Sequence, residues 1–343
     1  MQKVSETHGA SRHSNNHTQT RRPLFTCHGA ETSPLPSPRA SPPLASDSQA
    51  WFLRYVEILE PEEWMERRKR HEARVEPWIR PRLERMSIHQ RHPVEDFLFE
   101  YYPYRPAQLK RWHPGTGIAL AGAQAREYLT IPGYVETSDC IAVGPLPEKR
   151  QAFVEWLGGF LSGIENRLPF FGCHGLHEWA MVYRTTEIRH ENLPLRLTPE
   201  ETAAVVESLP VRCSHYDAFR FFTPEARPLN RLQPTRVDSP QLEQPACLHA
   251  NMDLYKWSFK LSPWTPSDLV ADAFELARDI RELDMRASPY DLSSLGYTAV
   301  PIETSAGRSE YEKAQRAFAE RARPIRQRLM AVCSKLLPLA TSL

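Results

Sequence analysis

The sequence predicts a predominantly α-helical single domain with room for a small β component, preceded by a disordered N-terminal tail. Two observations carry the helical assignment. Long stretches of the C-terminal third repeat apolar residues at helical spacing, and several carry Pro or Ser/Thr where helices start. The tail rests on a third observation. Residues 1–48 are rich in Ser, Thr, His and Asn and then run ETSPLPSPRASPPLA, a composition that buries too little apolar surface to fold. The expected organisation is thus a tail over 1–48 and one mainly helical domain over 49–340.

From the domain's start, PEEWMERRKRHEARVEPWIRPRLERM after residue 60 predicts a charged amphipathic helix. Trp64, Val75 and Trp78 are its buried contacts, and Pro77 and Pro81 should break or kink it. A second helix is expected over His92–Tyr102, with Pro93 in its first turn. Residues 118–145 suggest short extended pieces, and 147–161 a helix with Phe153, Val154, Leu157 and Phe160 on a broad apolar side. Within 203–206, AAVV suggests a short strand. CLHANMDLYKWSFKL predicts a helix. So does TPSDLVADAFELARDIRELDMR, with Thr265 as cap, Pro266 at the first position and Leu269, Val270, Ala273, Phe274, Ala277, Ile280 and Leu283 as its stripe. The final helix is expected to start at the Ser309/Glu312 capping box and to bend or divide at Pro324.

Composition excludes some functions. No apolar run is long enough to span a bilayer. The N-terminus has no apolar signal core, so the expected address is the cytoplasm with no membrane partner. The 43 basic and 42 acidic residues leave a formal net charge of +1, which disfavours a broad electrostatic grip on nucleic acid but allows a local basic groove. Six cysteines lack the spacing of a disulfide framework. Thirty-one prolines and thirteen histidines are both in surplus. Four of the histidines (His8, His13, His17 and His28) lie in the tail, which leaves nine in the domain.

Those nine concentrate beside carboxylates. His92 precedes Asp96, His174 precedes Glu178 and His249 precedes Asp253, each by four residues, which on a helix puts both side chains on one face. A carboxylate receiving one ring N–H raises the basicity of the other nitrogen, which suits general base work and metal binding alike. His215 precedes Asp217 by two, so that pair shares a face only on a strand. The catalytic candidates are therefore His92, Asp96, His249, Asp253, His215 and Asp217. Tyr102, Tyr104, Arg105, Arg220, Tyr255 and Lys256 are the candidate substrate-binding groups, the tyrosines to stack a planar ring and the cations to hold an anion.

His174, His177 and His215 supply three nitrogens for a transition metal such as zinc or iron, though an organic site needs no cofactor. There is no HExxH motif, because Met181 stands where the second histidine belongs. A dinucleotide fingerprint, a phosphate-binding loop and a GxSxG elbow are absent as well.

The phrases HPVEDFLFEYYPYRPAQLKRWHPG, FGCHGLHEWAMVYR, RCSHYDAFRFFTP, LEQPACLHANMDLYKWSFKLSPW and ELARDIRELDMRASPYDL resemble a bacterial protein family commonly labelled 3-methyladenine DNA glycosylase. The resemblance runs from about residue 60 to 335. It implies a hydrolase that cleaves the N-glycosidic bond of an alkylated base in damaged DNA, with Asp253 or Asp96 opposite the developing positive charge. Lys256, Lys260, Lys110, Arg111 and Arg105 would then line the path of the DNA backbone. The chain departs from the helix–hairpin–helix glycosylases, since the GTG at 115–117 lacks the surrounding hairpin signature. Two further readings stay open: a metal-dependent or His–Asp enzyme for a small aromatic or heterocyclic substrate, and a noncatalytic binding protein. Convergence of the domain histidines on one cavity would favour the first of these two.

Overall fold

A computed structural model describes residues 57–137, 139–188 and 192–337. The expected tail over 1–48 lies outside them. The described chain is mainly helical with one small sheet. Its first elements are β1 (Glu57–Leu59), α1 (Pro61–Ser87), α2 (Phe97–Tyr101) and α3 (Pro106–Lys110). Then come β2 (Ile118–Ala121), β3 (Tyr134–Thr137) and β4 (Cys140–Val143), followed by α4 (Gln151–Glu165). The sheet order is β1-β2-β4-β3, parallel between β1 and β2 and antiparallel elsewhere. The extended pieces expected over 118–145 are thus three of its strands.

The second half contains α5 (Leu176–Ala180), α6 (Pro199–Ser208), α7 (Tyr216–Phe219), α8 (Ser239–Leu242), α9 (Leu248–Lys260), α10 (Ser267–Arg286) and α11 (Ser305–Leu336). α9 packs along α10, both pack on α11, and α4 packs on α11 from another side. The apolar stripe expected on α10 is buried along its whole length, from Leu269 to Leu283. The core surrounds Trp64, Trp179, Tyr255, Phe274 and Tyr311, all nearly inaccessible to solvent. Among the described residues, no helix is long and apolar enough to cross a membrane.

Several local expectations are corrected. α1 continues through Pro77 and Pro81, and α11 through Pro324. Each proline removes one backbone hydrogen bond, but buried contacts at Trp64, His71, Val75 and Ile79 hold α1 along its length. AAVV is helical, not extended. Thr198 accepts the Glu201 N–H, Glu201 accepts the Thr198 N–H in return, and Pro199 occupies the first turn. That reciprocal cap outweighs the strand preference of two valines. α10 starts one residue later than expected, at Ser267 after Pro266, and Thr265 does not cap it. α11 starts at Ser305, with Thr304 accepting the Gly307 N–H, so Ser309 and Glu312 lie inside the helix.

The helix expected over His92–Tyr102 is reduced to Phe97–Tyr101, because Asp96 has another task. Its carboxylate is buried and accepts from Arg82 Nη1 at 2.9 Å and from Arg85 Nη2 at 2.5 Å. It also accepts the His92 backbone N–H at 2.9 Å. Burial alone would raise its pKa. The Arg85 hydrogen bond, the His92 N–H, the Arg85 charge and the Arg82 bond together outweigh burial and hold it below the usual carboxylate value. Asp96→Asn is expected to lower stability by about 2–3 kcal/mol at neutral pH, measured by urea unfolding, because it removes the buried carboxylate that both half-buried arginines share and leaves them only the more exposed Glu100 and Glu95. A depressed pKa stabilises above the unfolded value of about 3.9. The gap between wild type and variant should therefore stay level above about pH 5 and close as pH falls through the folded pKa.

Candidate functional site

Three imidazoles meet in the interior. His249, the second residue of α9, contacts His177 of α5 with ring centroids 4.4 Å apart and planes at 80°. On its other side it lies over His215, the residue before α7, at 5.1 Å and 20°. His177 and His215 are buried; His249 is half-buried and opens onto a cavity of about 330 Å³.

A local turn aims His177. His174 and Gly175 both have positive φ, at 45° and 73°, and the chain enters α5 directly after them. A side chain at Gly175 would put its Cβ 3.3 Å from the Tyr311 ring. The turn also takes His174 away from Glu178, so the helical spacing in CHGLHEW does not pair them. His174 instead lies against Tyr311, with ring centroids 6.2 Å apart.

Each outer imidazole has its own carboxylate. His177 Nε2 and Asp284 Oδ1 are 2.8 Å apart, and His215 Nδ1 and Glu243 Oε1 are 2.7 Å apart. Burial opposes a proton on either ring. The Asp284 charge and hydrogen bond outweigh it at His177, and Glu243 does the same at His215, so both pKa values are raised. Burial would likewise raise Asp284, but the His177 charge and hydrogen bond hold it low. His249 has no hydrogen-bond partner among the described residues. Burial and the neighbouring imidazoles keep its pKa well below the usual value, so it is neutral at physiological pH. Arg281, itself buried, donates from Nη1 to Asp284 Oδ2 at 3.1 Å and to Glu178 Oε1 at 3.2 Å.

A second charged group adjoins the row. Lys256 donates to Asp253 and has its Nζ 3.9 Å from Asp217 Oδ2. Tyr102 donates to Asp253 Oδ1 at 2.7 Å. Burial raises the pKa of Asp253, but the charges of Lys256 and His215 and the bonds from Lys256 and Tyr102 leave it lowered. Asp217 is also paired with Arg220, 3.2 Å away. Phe97 and Tyr101 line the cavity as a stacked pair at 5.1 Å, and Phe221 lines it too. Burial and the Asp217 and Asp253 charges push the Tyr101 hydroxyl up to about 12, so it stays protonated at neutral pH.

The structure therefore brings together His249, Asp253, His215, Asp217, Tyr102, Arg220, Lys256 and His177 of the expected residues, and adds Asp284 and Glu243. The three proposed metal ligands are not one triad. The ligand atoms of His177 lie close to those of His249 and Asp284, and those of His215 lie near Asp217 and Asp253 or near Glu243 and Cys247. His174 belongs to none of these groups. His92 and Asp96 stand outside the row: His92 Nδ1 accepts the backbone N–H of Glu95 at 3.1 Å, a turn contact. Tyr104 stacks on Phe259 and lines a separate cavity. Arg105 precedes α3, where its backbone N–H donates to Gln108. Tyr255 is buried among Tyr102, Phe259 and Phe274.

Asp284, Glu243 and Arg281 went unnoticed in the sequence. A signal existed for two of them. Arg281 and Asp284 follow Ala277 by four and seven, so they extend the buried side of α10 with charge. Charge on an apolar helix face requires a partner. Comparison with protein-family models, curated proteins and solved structures found no match.

Two outcomes follow from this geometry. Gly175→Ala should destabilise by about 1–2 kcal/mol, seen as a lower urea midpoint, because a side chain at this φ is strained. Lys256→Met should cost about 2–4 kcal/mol at pH 7, since it strands the Asp253 charge, whereas Lys256→Arg should recover most of the loss. Equal stability of the two Lys256 variants would contradict that role.

Proposed function

We propose that the cavity beside His249 is the active site of a hydrolase acting on a small aromatic or heterocyclic substrate. The observation that carries this reading is the row of touching imidazoles His177, His249 and His215, of which His249 lines that cavity, with a carboxylate behind each outer ring. A core needs no row of three touching imidazoles, and general acid–base chemistry does need such groups held in fixed orientation.

In this scheme the planar ring lies among the side chains of Phe97, Tyr101 and Phe221, which border the cavity. Water is activated at the imidazole row, where His249 is the member that reaches the cavity. Asp284 and Glu243 fix the outer rings through their hydrogen bonds, as positioning residues. The Arg281 guanidinium, 3.9 Å from the centroid of Phe97, supplies positive charge beside the bound ring. Asp217 offers a carboxylate where positive charge develops.

A second substrate fits the same scheme. An alkylated base is cationic, and this cavity combines aromatic faces with Asp217 and Glu100. That supports the N-glycosidic cleavage implied by the family resemblance. The cations expected along a DNA path offer less support, since Lys110 and Arg111 line other cavities and Lys110 is paired with Glu76.

Chromatographic detection of released products from methylated duplex DNA, 7-methylguanosine and adenosine tests both. The expected result is turnover of at least one, with His249→Gln reducing kcat/KM by about 100-fold or more. Release from DNA alone favours the glycosylase reading, and release from the free nucleosides favours the small-molecule one. Inert wild-type protein, or a His249→Gln variant as active as wild type, overturns the hydrolase reading.

A further inference from the structure

We propose that His177, His249 and Asp284 bind one divalent first-row transition-metal ion, such as zinc, with an open coordination position facing the cavity. The inference deepens the hydrolase reading by supplying the agent that activates water, and its position rests on that reading.

Donor chemistry and geometry carry it. One ligand atom from each of the three residues lies within 4.8 Å of those of the other two. Donors around a tetrahedral zinc ion stand roughly 3.3 Å apart, so small side-chain adjustments suffice. Two imidazoles and a carboxylate select zinc and its neighbours over magnesium or calcium. The donors come from α5, α9 and α10; α9 packs along α10, and α5 is tied to the end of α10 by the Trp179 bond to the Ala287 carbonyl. His249 brings a ring without a hydrogen-bond partner among the described residues, half-buried and lining the cavity.

The surroundings fit an ion as well. A metal-bound carboxylate is normally oriented by a further hydrogen bond, and Asp284 Oδ2 accepts one from Arg281 at 3.1 Å. Arg281 also bonds Glu178. With the proton that His177 shares with Asp284 counted, His177, Asp284, Glu178 and Arg281 are together neutral; a divalent ion replaces that proton, which leaves to solvent, so the site gains one positive charge that a bound hydroxide cancels. Three protein ligands with a fourth place open to the cavity is the arrangement of catalytic rather than structural zinc.

Two rival sets are weaker for physical reasons. In His215, Asp217 and Asp253, the Lys256 ammonium already lies against Asp253 and 3.9 Å from Asp217. That set has its cation. His215, Glu243 and Cys247 are all buried, and none of them lines the cavity that holds His249.

The test uses the full chain, loaded with zinc, freed of excess ion by gel filtration and analysed for metal, with cobalt as a spectroscopic substitute. The expected result is one ion per chain and a visible cobalt spectrum of low coordination number. Affinity should fall at least tenfold in His249→Gln and in Asp284→Asn and stay near wild type in His215→Gln. Asp284 is fully buried, so circular dichroism must accompany its variant. If that variant unfolds, the half-buried His249→Gln decides. No retained ion overturns the site. Retention unaffected by His249→Gln but lost in His215→Gln also overturns it, by placing the ion in a rival set. Metal retention is read independently of turnover. An ion held without hydrolysis of any substrate defeats the hydrolase reading and sustains the site. Hydrolysis unaffected by chelation, in protein that holds no ion, does the reverse.

Discussion

The contact between His177 and Asp284, 2.8 Å long and shut off from solvent, ties α5 to α10 across 107 residues of sequence. Neither charge is stable in the interior alone, so each element holds its position through the other. Arg281 extends the contact to Glu178, back on α5. Two backbone anchors brace the same junction: Trp179 donates to the Ala287 carbonyl at 2.9 Å, and Arg196 bonds the Ser288 carbonyl. α9 lies beside this junction, which is why its second residue meets His177. On the far side of α9, Arg326 of α11 is buried and bonds both Asn251 and Glu165, fixing the helix from behind.

α9 therefore faces two environments. Leu248, Met252, Tyr255 and Phe259 fill the core, while His249 lines the cavity and Asp253 and Lys256 form an ion pair at its margin. The aromatic layer beneath is continuous. Tyr102 packs edge-on against Tyr255 and donates its hydroxyl to Asp253, so it belongs to the core and to the charged margin at once. The charged groups of the margin thus stand on a packed layer of rings, which favours fixed geometry over adaptability.

Much of this was legible from residue spacing. The helices α9 and α10 follow directly from their apolar repeats, and the His249/Asp253 pair keeps its helical spacing because both residues lie on α9. The other two pairs failed because spacing by four means nothing where the chain is not helical. Gly175 in the left-handed region interrupts one, and the turn from His92 into α2 makes the other a capping contact with a backbone N–H. His215 and Asp217 do come close, with Asp253 beside them, although neither lies on a strand. His215 is extended, but its imidazole bonds Glu243, 28 residues away. Glu243 could not be found from sequence, because nothing local marks a carboxylate whose partner is tertiary. The surplus of histidine was a sound guide to a cluster; which histidines form it depended on long-range packing.

The sequence separations across the cluster bear on how it forms. Its contacts close loops of 28 residues at His215–Glu243 and 107 at His177–Asp284. Loops of such length have an entropic cost that only the docked helices repay. The imidazole row then exists only when α5, α9 and α10 are all in place. Whatever occupies it binds the native chain alone, and occupancy and global unfolding become linked equilibria. The amides of these three helices should accordingly exchange as one cooperative unit, slowed together by an occupant.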